Sequence, residues 1–213
     1  MSYLMVHITI AYKLLEEFPD IADRSAFLIG SIAPDAISFR PGCVRSDKTL
    51  THFCTGDEGW GHHTNYDEWF DNLINGMRKL LDFINKDFLL GYMAHIITDI
   101  ENSRHFWTPT RLKNDKEYME TYLKDCAEID SILLNKIENI DEMWKSLENS
   151  ENHFLPEFFT SKDIVLMVEK MQSEIYFNRY PNHDYSPSVL TKSMVFAFID
   201  DIVEKVKSYK IKF

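Results

Sequence analysis

A histidine and an aspartate four residues apart, His95 and Asp99, stand inside an otherwise apolar run, Phe88-Leu89-Leu90-Gly91-Tyr92-Met93-Ala94-His95-Ile96-Ile97-Thr98-Asp99-Ile100. That spacing predicts one helix, Phe88 to about Glu101, capped by Asp87 or a neighbour, with both side chains on one face. Leucines, methionine and isoleucines cover its other faces, so the helix belongs at the centre of the fold with other helices wrapped round it. A buried carboxylate without a partner is very costly. A metal ion is one such partner, and an imidazole with a carboxylate suits zinc. A hydrogen bond within the core is the plainer alternative, since the spacing alone is a weak motif. Gly91, one turn before His95, costs the helix roughly 1 kcal/mol against alanine. Its presence points to another backbone that must approach closely.

Helical periodicity governs the rest of the chain, which has only seven Gly and seven Pro. Helices are expected at about 4–18, at Ile21–Ile29 after an Asp20 cap, and at Asn65–Ile84. A long charged helical region, about 115–150, opens at Asn114 or Asp115, breaks near Asn139 and reads as solvated scaffold. Later helices run from Ser161 to about Tyr176 and from a Ser186-Pro187 start to about Tyr209. Between the second helix and His63 the Gly- and Pro-rich stretch reads as a long loop, and a loop of that length is usually functional or disordered. No strand-like alternation and no internal repeat occurs. The fold class is therefore all-α, a single multi-helix domain over 1–213.

Other candidates gather around the central pair. His7 lies in an apolar helical stretch. Asp35 follows Pro34 after Gly30-Ser31-Ile32-Ala33, where a turn or cap role is the ordinary one. His52 lies in Thr51-His52-Phe53. His62 and His63 are adjacent, so at most one is expected to join a site, and either could replace His52. His105 lies six residues after Asp99, beside Phe106 and Trp107. His153 and His183 read as surface residues. Arg40, Arg45 and Lys48 fall in the long loop, where they could steady phosphate charge.

In this order, His7, Phe27-Leu28-Ile29-Gly30-Ser31-Ile32-Ala33-Pro34-Asp35, Thr51-His52-Phe53 and the Gly91–Asp99 segment resemble the zinc-dependent phospholipase C family. The resemblance covers roughly the first half of the chain. It implies an all-α, phospholipase C-like fold with zinc in a cleft. His95 and Asp99 correspond to the family's His-x-x-x-Asp ligands, Asp99 able to bridge two metals. Asp35 corresponds to a ligand that also serves as general base, His52 to the next ligand, and His7 to a ligand of the second metal. The chain lacks the N-terminal Trp of secreted members. It also lacks the His-x-x-x-Glu that holds a third zinc, so one or two ions are expected and His105 is in doubt.

Composition narrows the function. The net charge is −11 over 213 residues, which disfavours a broad nucleic-acid-binding surface. Hydrophobic residues at 45% supply a real core, while no apolar run is long enough to span a membrane. Three cysteines, Cys43, Cys54 and Cys126, form no CxxC pair and read as thiols of a reducing compartment. With no signal-peptide pattern, the expected location is cytoplasmic. The expected function is a metal-dependent phosphoric-ester hydrolase acting on a small phosphoester or phospholipid head group. The alternative is a non-catalytic helical protein with a structural or degenerate metal site. An HD-type metal phosphohydrolase would need an adjacent His-Asp pair, and only His183-Asp184 offers one. Zinc is the expected metal, with iron or manganese also compatible.

Overall fold

The computed structural model describes residues 4–54, 59–148, 155, 158–176 and 180–210. Ten α-helices account for most of it: α1 Leu4–Glu17, α2 Arg24–Gly30, α3 Asp47–Thr51, α4 Tyr66–Leu80, α5 Lys86–Asn102, α6 Thr108–Leu112, α7 Lys116–Leu134, α8 Ile140–Glu148, α9 Ser161–Lys170 and α10 Lys192–Lys210. A 3₁₀ segment, Ala33–Phe39, follows α2, and π-helical turns, Ser103–Trp107 and Met171–Ile175, extend α5 and α9. No strand occurs among the described residues, so the all-α class holds. None of the described helices is long and apolar enough to cross a membrane. His153 lies outside the described residues.

α5 is the axis. Fourteen of its residues are buried, from Phe88 and Leu89 through His95 and Asp99 to Asn102. Helices α1, α2, α4 and α10 all pack on it, α2 most extensively. The reason is two glycines. A Cβ on Gly91 would lie 2.1 Å from the Phe27 carbonyl oxygen, and a Cβ on Gly30 would lie 2.1 Å from the Phe88 carbonyl oxygen. Each glycine thus makes room for the other helix's backbone, and no other residue fits either place.

The sequence-based boundaries shift where a side chain outcompetes the expected cap. α2 starts at Arg24, not Ile21, because Asp23 rather than Asp20 accepts from the Ala26 N–H. α5 starts at Lys86 because Asn85 takes the Asp87 and Phe88 N–H groups. α9 is closed by a capping box of Thr160 and Asp163. The Ser186-Pro187 start fails outright. The N–H groups of Ser188, Val189 and Leu190 all donate to the Asp125 carboxylate instead, so α10 begins at Lys192.

The long loop is also less irregular than expected. Ala33–Phe39 and α3 both fall within it, too short to show a period in sequence and held by tertiary bonds. Trp69 donates to the His52 carbonyl and Tyr92 to the Thr51 carbonyl. Arg40 forks onto Asp163 at 2.7 and 3.0 Å. The charged region 115–150 is not simply solvated scaffold either. On α7, Asp125, Glu128 and Asp130 are buried, and Asp130 accepts from the Met5 N–H and the Tyr176 hydroxyl.

Two outcomes follow. Gly91→Ala should destabilise the protein by about 2 kcal/mol or more through overpacking, although alanine is the better helix former; the midpoint of urea unfolding measures it. The Arg40 fork, against a smaller opposing effect of burial and with the help of Thr160, holds the Asp163 carboxyl down at about 2. Its stabilisation is present above the ordinary carboxylate range and is lost as pH falls through that value. The stability gap between wild type and Asp163→Asn should therefore narrow from pH 6 towards pH 2.

Candidate metal centre

Five side chains from four elements meet beside α5. His7 comes from α1, Asp35 from the 3₁₀ segment, His52 from the residue after α3, and His95 and Asp99 from α5. His7, His52, His95 and Asp99 are at most 4% exposed, and the Asp35 side chain is 19% exposed.

The imidazoles are held by backbone carbonyls. His95 Nδ1 lies 2.7 Å from the Ser31 carbonyl oxygen, and His52 Nδ1 lies 3.0 Å from that of Lys48. A carbonyl only accepts, so each Nδ1 carries the proton and donates. The Nε2 atoms then face inward, 3.3 Å apart. His52 Nε2 is also 3.4 Å from both Asp35 Oδ1 and Asp99 Oδ2, and His95 Nε2 is 3.7 Å from Asp99 Oδ2. On the other side Asp99 Oδ1 is 3.5 Å from His7 Nε2, and the rings of His7 and His95 stack at 3.8 Å.

Protonation follows from this packing. Burial, and then the neighbouring His7, push His95 down to about 3, so it is neutral and presents a lone pair at Nε2. Burial alone would lower His52 as well, but hydrogen bonds to Asp35 and Asp99 raise it above the ordinary histidine value. Burial would raise both carboxyls. Lys48 and then His52 hold Asp35 well below the usual range, and His52 and His7 do the same for Asp99. Lys48 Nζ sits 2.5 Å from Asp35 Oδ1 and 5.5 Å from the centre of the Trp60 ring.

The donor set fits a transition metal. Tetrahedral zinc with bonds of about 2.0–2.1 Å sets its ligand atoms about 3.3–3.4 Å apart. His52 Nε2 already stands at that separation from each of His95 Nε2, Asp35 Oδ1 and Asp99 Oδ2. A lone pair on His95 facing His52 and two carboxylates calls for a Lewis acid among them, either the His52 proton or a cation. Two overlapping groups could hold an ion: Asp35, His52 and His95, and His7, His95 and Asp99. The two groups share His95, and one Nε2 atom would serve one ion, so His7 and Asp99 are the residues that would be left to hold another.

The other candidates lie elsewhere. His105 is more than half exposed and pairs with Glu101 at 3.2 Å. His62 is exposed, and His63 is buried against Trp69 and Trp60. His183 and Asp184 are exposed, which removes the adjacent pair an HD-type site would need. Cys43 donates to the Ser38 carbonyl, and burial, then Asp99, raises the Cys54 thiol so that it stays protonated. Arg40 is committed to Asp163. Sequence reasoning missed Ser31, whose carbonyl sets the His95 tautomer, and Trp60, whose ring centre is 4.4 Å from that of His52. Nothing local marks either one; the pairing of Gly30 with Gly91 is the signal that could have found Ser31.

Zinc and a proton compete for His52, and a ligating imidazole must be neutral. Because the His52 value is raised, zinc binding near pH 6.5 should release more than half a proton per chain, less as pH rises past the folded value. Calorimetry in buffers of different ionisation enthalpy counts it. In the metal-free protein the same group adds stability below its unfolded value of about 6.5, lost as pH rises through the folded value.

Comparison with curated proteins and with solved structures found no match. Comparison with family profiles found one, described as zinc dependent phospholipase C, over residues 6–178. That span takes in α1 through the π-helical turn after α9, and with it all five converging side chains. The chain therefore belongs to the zinc-dependent phospholipase C family.

Proposed function

We propose that the protein is a zinc-dependent phosphoric-ester hydrolase in which His7, Asp35, His52, His95 and Asp99 hold one or two ions. The convergence of Nε2 and carboxylate oxygens around His52 Nε2 at tetrahedral ligand spacing carries this reading. Bound there, zinc supplies positive charge for phosphate oxygens and makes water a stronger acid.

The chain's own groups divide the remaining work. Ser31 and Lys48 carbonyls lock His95 and His52 in the tautomer that ligates, as backbone partners of ligating histidines commonly do. Lys48 fixes Asp35 at the edge of the cluster. A carboxylate held so far down accepts a hydrogen bond well and keeps a proton poorly, which suits orienting the attacking water. Water adds to phosphorus, the bond from phosphorus to the alcohol oxygen breaks, and the alcohol leaves with a proton. The substrate class is a phosphodiester or phosphomonoester, either soluble or a phospholipid head group.

One observation favours a second reading. His52 Nε2 lies 3.3–3.4 Å from His95 Nε2, Asp35 Oδ1 and Asp99 Oδ2, so protein groups surround the place an ion would take, and a fully protein-ligated zinc is usually structural.

Metal content and hydrolysis of bis(4-nitrophenyl) phosphate separate the readings. Wild type should retain about one or two zinc ions per chain, lost in His95→Ala and Asp99→Ala. Asp35→Asn should keep part of the zinc while turnover falls roughly 100-fold. Zinc retention without hydrolysis of any phosphoester, and with a large fall in melting temperature on chelation, would establish the structural site. No zinc even after soaking would sink both.

A further inference from the structure

Beside the cluster lies a small recess that the ligand assignments leave unused. It is lined by Arg45, Trp60, Gly61, Trp69, Asp99, Ser103 and Trp107, and at about 10 Å³ it admits a single water-sized group. Asp99, one of its lining residues, is 4% exposed. Three indoles line it too, and Trp107 Nε1 donates to the Gly61 carbonyl at 2.7 Å, which ties two parts of the lining together.

Arg45 stands at its rim. The residue is exposed overall, but its guanidinium turns back onto the loop. A Cβ on Gly61 would lie 2.8 Å from Arg45 Nη2 and 3.3 Å from Trp107 Nε1. Gly61 also has φ +82, a conformation that side chains rarely adopt. A glycine there serves both the turn and the guanidinium. The other two cations of this segment are committed, Arg40 to Asp163 and Lys48 to Asp35. No carboxylate among the described residues pairs with Arg45, so its five donors remain for a ligand. A planar fork of donors at the edge of a one-oxygen recess, beside carboxylates whose charge bound zinc would offset, matches a phosphoryl group.

We propose that Arg45 and this recess seat one non-bridging oxygen of the substrate's phosphoryl group, against Trp60 and Trp107 and beside Asp99, making Arg45 the substrate-binding cation of the site. The inference rests on the zinc-hydrolase reading and deepens it. The phosphoryl group is common to a free phosphoester and a lipid head group.

Calorimetric titration of zinc-loaded wild type, Arg45→Ala, Arg45→Lys and Gly61→Ala with inorganic phosphate tests it, with zinc content measured on each sample. Arg45→Ala should bind phosphate about tenfold or more weakly, as expected for a lost charge-assisted pair, with zinc content unchanged. Arg45→Lys should recover only part of that. Gly61→Ala, which displaces the guanidinium without removing charge, should weaken binding in the same direction. Unchanged affinity in Arg45→Ala with zinc retained would overturn the proposal while leaving the metal centre standing. Absence of zinc from wild type would count against the metal reading, and phosphate binding that still required Arg45 would support the recess alone. Parallel arms with glycerophosphocholine and with phosphatidylcholine vesicles identify the source. Arg45-dependent binding in either arm supports the seat, and the tighter arm names the ligand.

Discussion

The backbone contact between α2 and α5 is the constraint on which the rest depends. Gly30 and Gly91 each yield their side-chain space to the other helix's carbonyl. That closeness brings the Ser31 carbonyl, at the end of α2, to His95 Nδ1. The ring is thereby held in the tautomer whose lone pair faces His52 Nε2. The same contact delivers Pro34 and Asp35, which follow α2 within one 3₁₀ segment, to the edge of the cluster. A larger residue at either glycine would move the Ser31 carbonyl and Asp35 together.

Burying two carboxylates next to each other is costly unless cations offset them. Lys48 lies against Asp35, and His52 touches both carboxylates, so the site has built-in positive charge even without metal. This explains why His52 is raised while His95, a few ångströms away, is kept neutral. Two imidazoles so close cannot both carry a proton comfortably, and the one touching both carboxylates takes it. A cation replacing that proton would find both Nε2 atoms aimed inward, held there by the Ser31 and Lys48 carbonyls.

Buried carboxylates outside the centre serve a different end. Asp125 gathers three consecutive backbone N–H groups ahead of α10, and Asp130 takes the Met5 N–H near the start of α1. The latter sets the register of the helix that carries His7. Charged residues on α7 are thus tertiary anchors, the role their polar surroundings in sequence concealed.

The sequence by itself determined the helical class, the central place of the α5 segment, and the residues able to ligate. These are local matters: periodicity, apolar content and residue chemistry appear wherever the chain is read. It also marked Gly91 as a close-contact site, because a glycine inside a buried helix needs a reason. Which histidines and carboxylates meet was settled only by tertiary structure. His7 and Asp99 are far apart in sequence, and α1 packing on α5 makes them neighbours. The exclusion of His105, His62 and His63 likewise depends on where their elements point, and so does the commitment of Arg40 to Asp163 and of Lys48 to Asp35. Short helices such as α3, and the delayed start of α10, were illegible because bonds to distant side chains create them, and no local pattern records a bond of that range.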